Sequence, residues 1–219
     1  NHEAFYVSHA MEPVNIPAQE TVDEFLPPLV QEHMLDPENG ESFGYVCDQI
    51  TMRQSRVDLS DAMEQVIGAA AEASSEWKRL TGREYDIIEP YRCDNAELVI
   101  VAMGSMCGTV YDAVDALRDS GKQIGLLKIR MFRPFPVEAV RNALTGIATI
   151  LVLDRNFSPG IGGVLHQEVR SALYGVKNAP RLHGYLAGVG GINVSPGKIE
   201  EFVNVAISKT PVDNSVWVE

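Results

Sequence analysis

The chain has 219 residues, of which 45% are hydrophobic, which is enough for one domain with a real core plus an extension. Its formal net charge is −12, and residues 1–58 hold 11 acidic against 2 basic side chains. That balance argues against a nucleic acid partner, because a polyanion would be repelled and no basic stripe offsets the acids. The apolar stretches are too short to cross a bilayer and no apolar leader opens the chain, so we expect a cytoplasmic protein without a membrane partner.

Residues 1–58 contain five prolines and few periodic apolar runs. This composition predicts an extended strap that wraps over a neighbour and has no core of its own. Beyond the strap, apolar side chains recur at helical spacing, and Ser60 or Asp61 can cap a helix. We therefore predict a connecting helix at residues 60–81, within a linker segment that spans residues 59–91.

Residues 92–208 alternate between short apolar runs and amphipathic segments. The predicted strands are residues 98–103, 123–129, 147–153 and 181–187. The predicted helices are residues 107–118, 136–144, 162–173 and 196–207. Near-continuous apolar strands separated by helices predict an α/β domain with a small, doubly wound parallel sheet that is covered on both faces. The remaining residues, 209–219, are predicted to form a tail.

The cysteines and histidines follow no metal-binding pattern. Cys47, Cys93 and Cys107 are widely spaced without a CxxC pair, and the five histidines are scattered. Zinc and iron–sulfur sites need ligands at close, regular spacings. We assign no metal site and expect the three cysteines to be reduced thiols.

In a doubly wound sheet, functional surfaces gather at the carboxyl ends of the strands. Here four loops, at residues 104–105, 130–133, 154–156 and 188–191, are predicted to meet along one edge. The turn at residues 104–105 opens a helix but lacks the full GxGxxG pattern and the acid that would bind a ribose. A tight strand-to-helix turn is therefore favoured over a dinucleotide site, and contact with a cofactor or partner domain stays open.

Two of these loops carry the most distinctive residues. The run RMFRPFP at residues 130–136 sets two arginines beside two aromatic rings, which suits either a partner's acids or a carboxylate or phosphate ligand. The run DRNFSPGIGG at residues 154–163 lacks the Gly-Lys-Ser/Thr of a P-loop, so its glycines favour close packing. No Gly-x-Ser-x-Gly elbow occurs, and no residue is assigned a catalytic role. The interface or ligand-approach candidates are Arg130, Arg133, Asp154, Arg155, Asn156, Gly162 and Gly163.

Several runs taken together resemble one family. They are FYVSH at 5–9, ETVDEFLPP at 20–28, AMGS at 102–105, LKIRMFRPFP at 127–136, LDRN at 153–156, LYG at 173–175 and AGVGG at 187–191. In this order they closely resemble the carboxyl-terminal part of pyruvate synthase (pyruvate:ferredoxin oxidoreductase) α subunits, in the 2-oxoacid:ferredoxin oxidoreductase family. The resemblance extends over nearly the whole chain.

The resemblance implies one part of an enzyme of anaerobic metabolism. That enzyme oxidatively decarboxylates pyruvate or a related 2-oxoacid with coenzyme A and passes electrons to ferredoxin, reversibly. The complex would contain thiamine diphosphate, Mg²⁺ and [4Fe-4S] clusters, none of them bound by this chain alone, because the family's reacting residues lie outside it. The resemblance also implies a fold like the transketolase C-terminal domain, and a strap that leaves an upstream pyrimidine-binding domain.

The role expected for this chain is structural and assembly-forming, with other subunits or domains as partners and no activity of its own. Two alternatives remain open on the residues alone. One is the equivalent domain of a transketolase-like 2-oxoacid dehydrogenase that passes acyl groups to lipoamide. The other is an independent anion- or nucleotide-binding module.

Overall fold

The computed structural model describes residue 11 and residues 13–31, 33–40, 43–44 and 46–218. The FYVSH motif at residues 5–9 lies outside the described residues. The chain divides into two compact units, Glu12–Asp86 and the unit that contains Ile87–Glu219. In the described part of the chain, no helix is long and apolar enough to span a membrane.

The first unit contains two helices, α1 (Gln19–Phe25) and α2 (Gln49–Thr81). Helix α2 begins eleven residues before the predicted start at residue 60, because the Asp48 carboxylate caps it by accepting a hydrogen bond from the Thr51 amide at 2.8 Å. It ends as predicted, at Gly82 in the left-handed conformation. The prediction of a wholly extended strap over residues 1–58 is therefore wrong at α1 and at the first turns of α2.

Helix α1 packs against the carboxyl-terminal half of α2. The rings of Phe25 and Trp77 meet edge to face with centroids 4.9 Å apart, and Glu24 pairs with Arg79 at 2.8 Å. None of the residues of α1 and α2, all of which are described, is buried. Among the described residues of this unit, none is buried, so its helices are held by local contacts.

The second unit is an α/β domain. Its strands are β1 (Ile88–Tyr91), β2 (Leu98–Met103), β3 (Ile124–Ile129), β4 (Thr149–Asp154), β5 (Phe157–Ser158), β6 (Gly162–Gly163), β7 (Arg181–Leu186) and β8 (Val216–Trp217). Its helices are α3 (Met106–Asp119), α4 (Val137–Leu144), α5 (Val164–Ala172) and α6 (Pro196–Ser208). The four predicted strands and four predicted helices are all present, with ends shifted by no more than about two residues.

Six strands form the main sheet in the order β1-β3-β2-β4-β7-β8. Strands β3, β2, β4, β7 and β8 are parallel, so the doubly wound α/β class is confirmed. Two edge strands were not predicted. Strand β1 pairs antiparallel with β3 and contains Pro90, which an edge strand tolerates, and β8 forms within the predicted tail.

The core lies on both faces of the sheet. Helices α3 and α6 cover one face, where Ile100, Leu126 and Phe202 are buried. Helices α4 and α5 cover the other, where Val101, Leu127 and Val169 are buried. The alternation of neighbouring residues between two buried faces explains why the strands are apolar throughout.

We predict that Gly184→Ala destabilises the domain. A Cβ at this position in β7 would lie 2.4 Å from the His166 ring, which is buried on helix α5, so the ring or the strand must shift. Overpacking of this kind costs about 1–3 kcal/mol. The measurement is the free energy of unfolding in urea. The control is Gly108→Ala in helix α3, where the added methyl meets no atom within 4 Å and should stabilise the helix by about 0.5–1 kcal/mol. Equal effects of the two variants would contradict the packing argument.

Candidate functional site

The candidate site is the edge of the sheet at which β3, β2, β4 and β7 end. These strands are parallel and adjacent, so the loops that follow them lie side by side. This is the arrangement that the strand pattern predicts. What each candidate residue does there follows from its contacts.

The turn after β2 leads directly into helix α3, and its amides are used in the hydrogen bonds that begin the helix. The amide of Cys107 donates to the Gly104 carbonyl at 3.2 Å, and the amide of Gly108 donates to the Ser105 carbonyl at 3.1 Å. These amides already have acceptors, which favours the tight-turn interpretation over an anion site. Burial raises the pKa of the Cys107 thiol to about 11, so the thiol is neutral at pH 7 and poorly nucleophilic.

Arg130 forms an ion pair with Glu89 of β1, a residue that sequence analysis missed. Lys128 lies 3.4 Å from the same carboxylate, and the Tyr111 hydroxyl donates to it at 2.6 Å. Burial raises the pKa of Glu89, but the Tyr111 hydrogen bond and the two cations outweigh it, so the net shift is downward. Glu89 is therefore ionised, and it neutralises much of the positive charge at the end of β3.

Arg133 lies further out and is half exposed. Its guanidinium contacts Glu168 of helix α5 at 2.7 Å and stacks over the Phe132 ring at 4.2 Å from the centroid. An exposed pair of this kind adds little to stability. Arg133 thus presents a charged, oriented side chain at the surface of this edge.

Asp154 ends β4 and is buried. Its carboxylate accepts hydrogen bonds from the amides of Leu165 at 3.3 Å and His166 at 2.9 Å, in the first turn of helix α5. Burial raises the pKa of Asp154, and the hydrogen bonds from the helix amides oppose that rise. A Cβ at Gly163 would lie 2.4 Å from the carboxylate, so the glycine is required for the approach. The hydrogen bonds of Asp154, which Gly163 leaves room for, thus join strand β4 to helix α5.

Arg155 and Asn156 follow Asp154, and their side chains lie in different surroundings. The Arg155 side chain packs against Gly188 in the loop after β7, where a Cβ would lie 2.8 Å from its Nε. Asn156 is exposed. Gly162 has a φ of +93° and faces Ser215, so its backbone conformation and its close neighbour both favour glycine. Arg155 therefore holds two of the predicted loops together.

His166 and Ser215 form a link that sequence analysis missed. The imidazole is 1% exposed, and its Nδ1 lies 2.9 Å from the Ser215 Oγ. The Gly163 amide donates to the same hydroxyl at 3.0 Å. Ser215 belongs to the predicted tail and lies 49 residues from His166, so only the folded chain brings them together.

This arrangement does not match a serine hydrolase triad. Asp154 accepts a hydrogen bond from the backbone amide of His166 and not from its ring, so this carboxylate does not orient the imidazole as a base. The link instead attaches residues 209–218 to helix α5, with the help of a 2.8 Å hydrogen bond from Arg170 to the Asp213 carbonyl. Within the described ranges, no three potential metal-ligating side chains come together.

Exposed apolar side chains complete this edge. Phe157 and Trp217 contact each other with ring centroids 5.0 Å apart, and both are partly exposed. Met103, Ile161 and Ile192 are exposed in loops or strand ends of the same region. Apolar and charged groups together are typical of a surface that contacts protein.

Comparison with known proteins identifies the family. The family model described as "Pyruvate:ferredoxin oxidoreductase core domain II" matches residues 96–199. The chain is 38% identical to pyruvate synthase subunit PorA of Methanothermobacter thermautotrophicus over 99% of its own length and 55% of that subunit. It is 39% identical to ketoisovalerate oxidoreductase subunit VorA of Pyrococcus abyssi over 86% of its length and 48% of that subunit.

The chain belongs to the 2-oxoacid:ferredoxin oxidoreductase family. The resemblance drawn from the sequence runs is thereby confirmed. The family model matches residues 96–199, which is most of the α/β domain, and the similarity to PorA, which spans 99% of this chain, extends over the acidic first unit as well. The chain spans about half the length of the curated relatives it matches.

We predict that the free energy of unfolding of the α/β domain falls on acidification, because the buried His166 imidazole must then bind a proton. Burial lowers the pKa of the imidazole to about 4, with the charges of Arg170 and His183 adding to the effect. The unfolded chain binds this proton near pH 6.5, so stability is complete above that pH and is lost as the pH falls toward 4. Between pH 7 and 5 the loss from this one group is about 2 kcal/mol.

The measurement is the free energy of unfolding in urea at pH 7 and pH 5, for the native chain and for His166→Gln. The variant cannot titrate at this position, so its pH dependence should be smaller by about the same 2 kcal/mol. The pKa of Asp154 is raised, so this group increases the free energy of unfolding as the pH falls, and it does so in both proteins. Equal pH dependence in the two proteins would show that His166 does not carry the effect.

Proposed function

We propose that this chain is the carboxyl-terminal part of an α-type subunit of a cytoplasmic 2-oxoacid:ferredoxin oxidoreductase. The reaction would convert a 2-oxoacid, coenzyme A and two oxidised ferredoxins into an acyl-CoA, carbon dioxide, a proton and two reduced ferredoxins. The support is the similarity of nearly the whole chain to subunits with such names.

Cofactor chemistry would take place outside this chain. Thiamine diphosphate would supply the carbon nucleophile for decarboxylation, and iron–sulfur clusters would carry the electrons. The described residues do not fit either group. Cys93 is partly buried and Cys107 is buried, and the amides after β2 are already hydrogen-bonded. We therefore assign no cofactor contact to the α/β domain and propose other domains or subunits as partners.

Pyruvate is the proposed substrate, because the relatives with the longest matched regions are named pyruvate synthase subunits. A relative named for ketoisovalerate has nearly the same sequence identity to this chain, 39% against 38%, so sequence identity does not distinguish between the two substrates. The two substrates differ in the branched alkyl group, which a pocket distinguishes by shape.

The assay for this proposal is coenzyme A-dependent reduction of ferredoxin by the purified assembly that contains this chain. Pyruvate should support reduction, and ketoisovalerate should support it at least tenfold less well in kcat/KM. Omission of coenzyme A is the control. Transfer of the acyl group to lipoamide without ferredoxin reduction would instead favour a 2-oxoacid dehydrogenase.

The assembly role rests on the acidic arm, which we define as residues 12–86. This segment contains 16 acidic and 5 basic side chains, whereas residues 87–219 contain 13 of each. Nearly all the net charge of the chain therefore lies in the arm. A surface of this charge is attracted to a basic partner and repelled by another copy of itself.

The arm also exposes many large apolar side chains. Val14, Leu29, Val30, Leu35 and Val46 are each more than three-quarters exposed. Monomeric proteins avoid such exposure, since each apolar side chain gains roughly 1.5–3 kcal/mol on full burial. We infer that the arm is covered by a partner subunit.

Helix α2 offers the most regular surface of the arm. Met52, Leu59, Met63 and Val66 lie on one face at helical spacing, and none of them is buried. Further along the helix, Ala70, Ala73 and Trp77 line an apolar groove of about 520 Å³ with residues of α1. We propose that this face packs against an apolar helix or groove of a subunit with basic side chains at its rim.

The test compares Leu59→Asp with Gln65→Asp. Both variants add one negative charge to α2, but only Leu59 lies on the apolar face, while Gln65 lies on the opposite face. Leu59→Asp should weaken subunit association about tenfold or more, as loss of a central apolar contact does. Gln65→Asp should leave it within about twofold. The measurement is the dissociation constant by analytical ultracentrifugation.

Equal weakening by both variants would indicate a general charge effect and would contradict docking through this face.

We propose a second contact surface at the carboxyl edge of the sheet. It contains Arg133, Asn156 and the exposed apolar residues beside them. Arg130, Asp154, Arg155, Gly162 and Gly163 are better explained by their contacts within the domain.

A further inference from the structure

Asn39 lies in the segment that connects helices α1 and α2 of the acidic arm. The chain contains ten asparagines, and Asn39 is the only one that a glycine follows. A glycine has no Cβ, so its main-chain nitrogen is less shielded and its backbone is freer than that of any other residue. Asn39 and Gly40 therefore form the one place in the sequence where a side-chain amide is followed by an unhindered main-chain amide.

The structure leaves this pair of residues open to reaction. Both residues are exposed and lie outside the helices and strands. A Cβ at Gly40 would meet no atom within 4 Å, so the main chain there is uncrowded. The Gly40 amide has no hydrogen-bond partner among the described residues. Its nitrogen can thus approach the Asn39 side chain without breaking another contact.

One contact opposes that approach. The Asp36 carboxylate accepts a hydrogen bond from the Asn39 Nδ2 at 2.9 Å and another from the Glu38 amide at 2.9 Å. The bond to Nδ2 holds the Asn39 side chain in one orientation, which slows an attack on its carbonyl carbon. A single hydrogen bond between exposed groups is weak, because water competes for both partners. Asp36 therefore slows a reaction at Asn39 without preventing it.

We propose that Asn39 is a site of spontaneous deamidation, with water as the co-reactant. The Gly40 nitrogen attacks the Asn39 Cγ, so that a new C–N bond closes a cyclic succinimide and the bond from Cγ to Nδ2 breaks. The proton of the Gly40 nitrogen passes through solvent to Nδ2, which leaves as ammonia. Water then opens the ring at either carbonyl carbon and yields aspartate or isoaspartate. The net reaction exchanges the side-chain amide for a carboxylic acid.

Each conversion changes the acidic arm in two ways. It adds one negative charge to the segment that already carries most of the net charge of the chain. Where isoaspartate forms, the side-chain methylene becomes part of the main chain, so the connection between α1 and α2 is longer by one carbon. The proposal concerns the chain itself and depends on neither the oxidoreductase activity nor subunit assembly.

The experiment incubates the full 219-residue chain at neutral pH and follows its tryptic peptides by tandem mass spectrometry. Trypsin cuts after lysine and arginine, and the first of these residues is Arg53, so one peptide contains both Asn39 and Asn15. Asn15 is also exposed, but the β-branched Ile16 follows it. We expect Asn39 to deamidate at least about tenfold faster than Asn15, because a β-branched side chain shields the attacking nitrogen and a glycine does not.

Three variants test the parts of the site. Gly40→Ala adds a methyl that meets no atom within 4 Å, and it should slow deamidation of Asn39 at least about fivefold by shielding the nitrogen. Asp36→Ala should accelerate the reaction about two- to tenfold, the range that loss of one ordinary hydrogen bond gives. Glu38→Ala is the control, because it removes the same charge but keeps that hydrogen bond, and it should change the rate by less than about twofold.

Aspartate and isoaspartate peptides of equal mass should appear together and separate on chromatography, because both come from one ring. Three results would overturn the proposal. The first is deamidation of Asn39 no faster than that of Asn15. The second is a rate that Gly40→Ala leaves unchanged. The third is a product with aspartate alone, which would mean direct hydrolysis of the side-chain amide. An unchanged rate in Asp36→Ala would overturn the role assigned to that carboxylate.

Discussion

The buried carboxylate of Asp154 connects the parts of the α/β domain that surround the candidate site. It ends the central strand β4 and accepts hydrogen bonds from the first turn of helix α5. The ring of His166 in α5 lies close to Gly184 of β7, and the imidazole in turn contacts Ser215. Because these contacts need space, glycines stand where a Cβ would collide with the carboxylate or the ring. One buried carboxyl group thus positions a strand, a helix and the chain segment after α6.

The contact between His166 and Ser215 attaches the carboxyl-terminal segment to the rest of the domain. Hydrogen bonds from Arg170 and with Ser215 attach it to helix α5 and the β5–β6 hairpin, and β8 extends the sheet beyond β7. Val212 of this segment lines cavities on both of its sides. These cavities therefore depend on contacts between residues that lie far apart in the sequence.

Charge and burial divide the chain in the same way. The α/β domain carries equal numbers of acids and bases and buries its apolar residues, whereas the acidic arm carries the net charge and buries no residue of its two helices. A domain with a core is stable through its own contacts, while a coreless arm with exposed apolar residues gains stability on association. This contrast is the physical basis for an assembly role.

The sequence by itself determined the α/β class, the four central strands with their helices, and the family, since apolar runs and local motifs depend on neighbouring residues. It also located the four loops at the carboxyl edge. It missed β1, β8, the β5–β6 hairpin and the start of α2, because short strands and a side-chain cap leave weak local patterns. Only the tertiary structure decided that Arg130 pairs with Glu89, that Asp154 caps α5 and that His166 meets Ser215. Contacts between residues 12 to 49 positions apart arise from packing, and a linear pattern does not record them.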